Sequence, residues 1–180
     1  MTAKELSLKN SKARNAGGSF EDIINDSCEY YEEIGIAKIE KTPEPMRTLR
    51  PLGRGRYEAV YTKQAQPDFK GTLKGGKAVV FEAKHTDTDR IKRDVISIEQ
   101  QLCLDAHEEL GAECFVLISF GFRHFYKVPW CVFRDMKGYF GFNHIKETAI
   151  AEWLTDMTKP HFGCFECKYT GNRLKFLSVV

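Results

Sequence analysis

The residues best placed to do chemistry are Asp68, Glu82 and Lys84, in the segments Gln66-Pro67-Asp68 and Phe81-Glu82-Ala83-Lys84. In a strand, residues two apart share a face. Glu82 and Lys84 therefore point one way, while Val79, Phe81 and Ala83 point the other way, into a core. Lys74-Gly75-Gly76-Lys77 lies between two strand-like runs, 68–73 and 78–84, and is a hairpin signal. Asp68 thus returns beside the other two. A two-residue turn at Gly75-Gly76 would set Asp68 against Ala83, on the wrong face. A three-residue loop, Gly75 to Lys77, pairs Asp68 with Lys84 and Lys70 with Glu82, and all three polar groups then face one way; a bulge would give the same shift. Two carboxylates, waters and a phosphate oxygen are the hard oxygens that Mg²⁺ takes as ligands. Such an ion makes hydroxide available near neutral pH, and a lysine can orient that water or stabilise charge growing on phosphorus. The chemistry that fits is metal-assisted hydrolysis of a phosphodiester.

Several elements must hold this hairpin. Ser19 is a good N-cap, followed by Glu21 and Asp22 in a first turn. Phe20, Ile23, Ile24, Cys28 and Tyr31 then recur at helical spacing, which predicts a helix over 19–33, ended by Gly35. Residues 36–40 alternate as a strand, and 58–61 resume a strand-like pattern. Residues 91–110 contain a helix whose inner stripe is read as Val95, Ile98, Leu102 and Ala106 or His107, ended by Gly111. The apolar run 114–120 predicts a central strand buried on both faces. Residues 130–133 and 139–142 read as further strands, and 148–157 as a short helix. The order predicts an α/β fold in which a mixed sheet is flanked by helices. Of the 180 residues, 42% are hydrophobic and 29% charged, which suits one domain with a sizeable core.

Net charge is only +2, but it is unevenly spread. Residues 1–16 carry Lys4, Lys9, Lys12 and Arg14 against Glu5, and read as a flexible basic tail. Residues 41–63 carry Lys41, Arg47, Arg50, Arg54, Arg56 and Lys63 against Glu44 and Glu58. The rest of the chain is net acidic, so a polyanion would be met at defined places. Pro43, Pro45, Pro51, Gly53 and Gly55 punctuate the second stretch, which predicts a projecting loop without regular structure. Cys164-x-x-Cys167 with His161 lacks a second pair of ligands and reads as two strand thiols rather than a zinc site. No apolar run is long enough to span a bilayer, and residues 1–15 are polar and lack a signal-peptide core. The expectation is a cytoplasmic protein with no membrane partner.

Asp68, Glu82 and Lys84 have the layout of the PD-(D/E)xK nucleases. Further segments resemble one family in that group, the RecU resolvases. These are Gly17-Gly18-Ser19-Phe20-Glu21, Tyr30-Tyr31-Glu32-Glu33-Ile34-Gly35-Ile36-Ala37 and Lys41-Thr42-Pro43-Glu44-Pro45. Asp68-Phe69-Lys70-Gly71, Phe81-Glu82-Ala83-Lys84-His85-Thr86, Glu99-Gln100 and Cys114-Phe115-Val116 follow in the same order. The resemblance covers roughly residues 17–145, and several ordered motifs are far more specific than one short pattern.

The resemblance implies a restriction-endonuclease-like core and a homodimeric, Mg²⁺-dependent Holliday-junction resolvase, with Mn²⁺ as a possible substitute. It implies that Asp68 and Glu82 bind metal, that Lys84 is the catalytic lysine, and that a glutamine on the following helix lies near the metal. Gln100 is the choice for that glutamine and Gln101 the backup. Glu21 and Gln66 are additional candidates, although Gln66 stands where the family carries a hydroxyl. The proline-rich segment, about 42–60, corresponds to the family's stalk, with Arg47, Arg50, Arg54, Arg56 and Lys63 as DNA contacts. Residues 17–180 are expected to form one nuclease domain behind the basic tail, with branched DNA as partner. Another PD-(D/E)xK endonuclease and a non-cutting junction-binding protein are the alternatives.

Overall fold

A computed structural model of the chain describes residues 19–43, 45–61 and 66–177. The basic tail and Lys63 lie outside the described residues. Residues 19–33 form a helix, α1, as the spacing predicts. Phe20, Ile24, Ser27, Cys28 and Tyr31 are buried along one face of it. Gly35, at φ +69°, then turns the chain into the sheet.

Strands β1 (Ala37–Lys41), β4 (Phe69–Leu73), β5 (Ala78–Thr86), β7 (Glu113–Phe120), β8 (His124–Pro129) and β10 (Phe165–Glu166) form one six-stranded sheet in the order β1-β4-β5-β7-β8-β10. The pairings are antiparallel except β5 with β7, which run parallel. Parallel neighbours need a crossover, and helix α2 (Ile98–Glu109) lies within it. The sheet is mixed and covered on both faces. On one face α1 and a C-terminal hairpin, β11 (Lys168–Thr170) with β12 (Arg173–Lys175), enclose Phe69, Phe81 and Phe115. On the other, α2, α3 (Trp130–Arg134), α4 (Met136–Phe140) and α5 (Glu147–Thr155) cover Val80, Val116, Ile118 and Val128. Cys164 and Cys167 are buried in different halves of this core, and burial pushes both thiols up to about 12.

Strand β7 explains its own composition, since every residue from Cys114 to Phe120 is buried. Phe69, Phe81 and Phe115 stack across three strands, with centroid separations of 4.9 and 4.6 Å. Such pairs add about 0.5–1.5 kcal/mol each beyond the area they bury. On the α1 side, the Tyr31 hydroxyl donates to the Leu174 carbonyl at 3.2 Å and accepts from Phe176 N–H at 2.8 Å. Ser27 accepts from Leu174 N–H at 2.8 Å, so one helix holds down the C-terminal segment.

Three expectations are corrected. The proline-rich segment is a β-ribbon, β2 (Met46–Gly53) with β3 (Arg56–Tyr61), rather than an irregular loop. Register shifts between Thr48 and Arg50 and between Pro51 and Gly53 accommodate the proline, and a two-residue turn with Arg54 at φ 52° and Gly55 at φ 74° closes it. Residues 130–133 and 139–142 are not strands. The strand is β8, which stops at Pro129, and short apolar runs of that length fit a buried helical turn equally well. In α2 the inner stripe is wrong: Ile98 and Leu102 are 72% and 63% exposed, and Leu104 is the buried residue. The inward face carries Gln100 and Leu104, for a reason that lies in the site.

The β1–β4 pairing leaves no space at Gly71, where an added Cβ would lie 2.1 Å from the Lys38 carbonyl oxygen and 2.6 Å from Ile39 Cα. Both neighbours are backbone and cannot turn aside. Gly71→Ala should destabilise the protein by about 1–3 kcal/mol or more, measured as a lowered urea midpoint. An unchanged midpoint would mean that β1 is not paired there.

Candidate active site

The β4–β5 hairpin sets the site. Its pairs are Phe69 with Phe81, Lys70 with Val80, Gly71 with Val79 and Thr72 with Ala78. The Leu73 N–H donates to the Lys77 carbonyl, so the loop is three residues long but comprises Lys74 to Gly76. The expected register is therefore displaced: continued by one pair, it sets Asp68 across from Glu82 rather than Lys84. The face is unchanged, because the shift is an even number of residues.

Asp68, Glu82, Lys84 and Gln100 come together. Asp68 Oδ2 accepts from Ala83 N–H at 2.9 Å and from Lys84 Nζ at 3.2 Å. The Asp68 carbonyl accepts from Thr42 N–H at 2.8 Å, which fixes the residue from the β1 side as well. Glu82 Oε2 accepts from Lys84 Nζ at 2.6 Å and from Gln100 Nε2 at 2.8 Å. Glu82 is wholly buried, and its Oε1 has no hydrogen-bond partner.

Gln100 reaches Glu82 because of how α2 begins. Ser97 caps the helix: its hydroxyl accepts from Gln100 N–H at 3.2 Å, and Gln100 Oε1 accepts from Ser97 N–H at 3.1 Å. That contact fixes the amide oxygen and leaves the NH₂ for the carboxylate. A glutamate could complete the same cap but could not donate to Glu82. The cap also rotates α2 so that polar Gln100 faces the sheet and Ile98 and Leu102 face out. Ser97-Ile98-Glu99-Gln100 is a readable capping box, and it is the signal that the apolar spacing overrode.

The electrostatics follow from burial. Desolvation pushes Glu82 up to about 8, against the pull of the Lys84 charge and with the help of the Asp68 charge. Burial works against the charged form of Lys84, but Asp68 and Glu82 outweigh it and raise its pKa. Lys84 thus stays an ammonium.

The other candidates sit elsewhere. Gln101 accepts from Arg93 Nη2 at 2.8 Å and donates to the Ile96 carbonyl at 2.9 Å, so it is not the glutamine of the site. Glu21 pairs with Lys41 at 2.5 Å, and Gln66 accepts from Lys70 at 2.9 Å, so neither adds to the carboxylate pair. Lys41 was missed by the sequence reasoning; it lies close enough to Asp68 for that charge to help raise its pKa, after the Glu21 hydrogen bond. Arg47, Arg50, Arg54 and Arg56 are all exposed on the ribbon, away from the hairpin, and Arg50 is tied across the strands to Glu58.

Among the described residues no cluster of three His, Cys, Asp or Glu side chains is poised for a metal. The donor set nevertheless suits a hard cation. Glu82 Oε1 is a buried oxygen lacking any donor, Asp68 stands across from it, and Mg²⁺ commonly takes one or two carboxylates with water and phosphate oxygens.

The chain matches the family described as RecU, Recombination protein U, over residues 15–173. A "Holliday junction resolvase RecU" of Streptococcus sanguinis is 34% identical over 125 residues, which is 64% of this chain and 60% of that protein. The protein of the same name from Geobacillus kaustophilus is 42% identical over 77 residues, 40% of this chain and 38% of that protein. The matched stretches thus span less than two thirds of these relatives. The solved structure of Archaeoglobus fulgidus Hjc, a Holliday junction resolvase, covers 74% of this chain and 90% of that one at 16% identity and a TM-score of 0.43.

A carboxyl group whose pKa is raised by folding binds a proton in the native state that the unfolded chain has lost. Stability then falls as pH rises through the interval between the two values. For Glu82 that interval runs from 4.5 to about 8. In metal-free buffer the thermal midpoint should fall across this range in the native protein, and Glu82→Gln should flatten the fall. Parallel profiles for the two proteins would contradict a protonated, buried Glu82.

Proposed function

The chain belongs to the RecU family, and from that premise we propose that it is a structure-specific endodeoxyribonuclease that makes paired, symmetric nicks in four-way DNA junctions. The observation that carries the reading is the convergence of Asp68, Glu82 and Lys84, in which Glu82 Oε2 takes the donors while Oε1 stays buried with none. A protein that only bound DNA would gain nothing from setting two carboxylates toward phosphate.

Asp68 and Glu82 would hold a divalent cation, Mg²⁺ or in its place Mn²⁺. When bound, the ion supplies a more acidic water and neutralises charge on the phosphate. Lys84 presents its ammonium to the phosphate or the attacking water, a role for which its charge is secured by the two acids. Gln100 acts through Glu82: its amide holds one carboxylate oxygen and leaves the other open.

The β2–β3 ribbon is the stalk, carried as an insertion in a single nuclease domain, 17–180, behind the basic tail. Its exposed arginines offer forked donors for the phosphates crowded at the centre of a junction. Among the described residues Arg47, Arg54 and Arg56 make no ion pair, and these are the contacts we assign first, with Arg50 and Lys63 beside them. Two symmetric nicks call for two active sites, hence a homodimer. Ile98 and Leu102 form an exposed apolar pair one turn apart on α2 that a second copy would cover. DNA as substrate puts the protein in the cytoplasm.

Cleavage of a four-way junction, measured beside linear duplex with and without Mg²⁺, tests the reading. Asp68→Asn and Glu82→Gln should abolish cutting while junction binding survives or tightens. Lys84→Ala should lose about 10²–10³-fold in rate, and Gln100→Ala should raise the metal requirement about 10–100-fold. Binding that disappears with cleavage in a folded Asp68→Asn protein would remove the catalytic role.

Arg54→Ala with Arg56→Ala should weaken junction binding and spare linear duplex; equal loss on both would make the ribbon a general clamp. Ile98→Asp with Leu102→Asp should give a monomer by sedimentation. A monomeric native protein on DNA would contradict the dimer.

A further inference from the structure

Strands β6 (Arg90–Lys92) and β9 (His144–Lys146) form a second small ribbon beside the main sheet. Its inner side is Ile91 against Ile145, both buried. Its outer side is Arg90 against Lys146 and Lys92 against His144. Arg90 and Lys146 are cations set directly opposite one another, an arrangement that repels and weakens a pair of strands. No requirement of the core explains this choice, because the core is served entirely by the two isoleucines.

The ribbon also joins two cavities. One, of about 420 Å³, is lined by Lys84 of the carboxylate site together with Arg90 and Lys92. The other, of about 430 Å³, is lined by Lys92, Arg93, Asn143 and His144. Lys92 belongs to both, so a line of cations runs from Lys84 outward. At its far end Arg93 gives one amine to Gln101, while its Nε is buried with no acceptor. Two acids stand against this charge: Asp89, hydrogen-bonded to Arg90 at 2.9 Å, and Asp94 in the outer cavity. Among the described residues Lys92 and Lys146 have no ion pair.

We propose that the β6–β9 ribbon binds the phosphate backbone of the duplex arm that leads away from the cleaved strand, with Lys92 and Lys146 as its principal contacts. This rests on the nuclease reading and extends the DNA footprint to a surface separate from the β2–β3 ribbon. The two surfaces do different work. The β2–β3 ribbon selects the branched centre, whereas the β6–β9 ribbon grips an arm, which every duplex has. A regular backbone suits it, since Lys92 and Lys146 offer point charges at intervals and the fork of Arg90 is held by Asp89.

The test uses the full chain in EDTA, so that binding is measured without cutting. The variant is Lys92→Gln with Lys146→Gln, and the control is Lys137→Gln with Lys175→Gln, which removes the same charge from exposed positions elsewhere. Affinity for a linear duplex and for a four-way junction is followed against salt. Each lost phosphate contact lowers the slope of log affinity on log salt by about 0.9, so the ribbon variant should lose about 1.8 on both DNAs. The control should keep the native slope. An unchanged slope in the ribbon variant overturns the proposal, as does an equal loss in the control, which would reflect net charge. A loss confined to single-stranded DNA also overturns it. Native protein that binds duplex but does not cut junctions would sink the resolvase reading while leaving the ribbon to be judged by its slopes; native protein that binds no duplex ends both.

Discussion

The structure is organised around one carboxylate in the wrong medium. Glu82 sits in the middle of the sheet with no exposure to water. Taking an ion out of water costs several kcal/mol even after the protein relaxes. Lys84, Gln100 and a raised pKa offset that cost, but Oε1 remains without a donor. Other features follow from this demand. The hairpin loop must have the length that keeps Asp68 on the same face. Helix α2 must begin at Ser97, so that Gln100 falls where its amide can turn inward, even though this places Ile98 and Leu102 in solvent.

Much of this was legible in the sequence, and the reasons differ by element. Helix α1 was clear because its buried positions have unbroken helical spacing. Strand β7 was clear because a strand covered on both faces must be apolar throughout. The meeting of Asp68, Glu82 and Lys84 could be read because the hairpin leaves few registers and only even shifts keep three polar groups together. The register itself could not be read, since two adjacent glycines, Gly75 and Gly76, allow more than one three-residue closure. The α2 stripe was misread because counting apolar residues assumes that the core decides a helix's rotation, whereas here a polar contact decides it. The β2–β3 ribbon was hidden by its prolines and glycines: a two-stranded ribbon has free edges and bulges where a missing N–H does no harm.

A division of labour results. The six-stranded sheet holds the acids and the lysine on rigid neighbours, packed on both faces. The charged groups suited to a long polyanion lie instead on two small ribbons outside that sheet. On the proposed reading, a change on a ribbon would alter which DNA is held and how firmly, and a change in the hairpin would alter whether chemistry occurs. On that reading the two could vary independently.

The Tyr31 hydroxyl bears on how the protein comes into being. Its partners lie at residues 174–177, and Phe176 packs against Phe81 at 5.4 Å, on the strand that carries Glu82. One half of the core thus stays open until residue 177 has left the ribosome. At ordinary rates of synthesis, roughly 5–20 s separate the appearance of the hairpin from that moment. Through that interval the acids are present but their sheet is unfinished, and three stacked phenylalanines are exposed to whatever binds nascent chains. On the proposed reading, a newly made molecule would become able to cut only after residue 177 has emerged, and shorter fragments would be sticky but would not cut DNA.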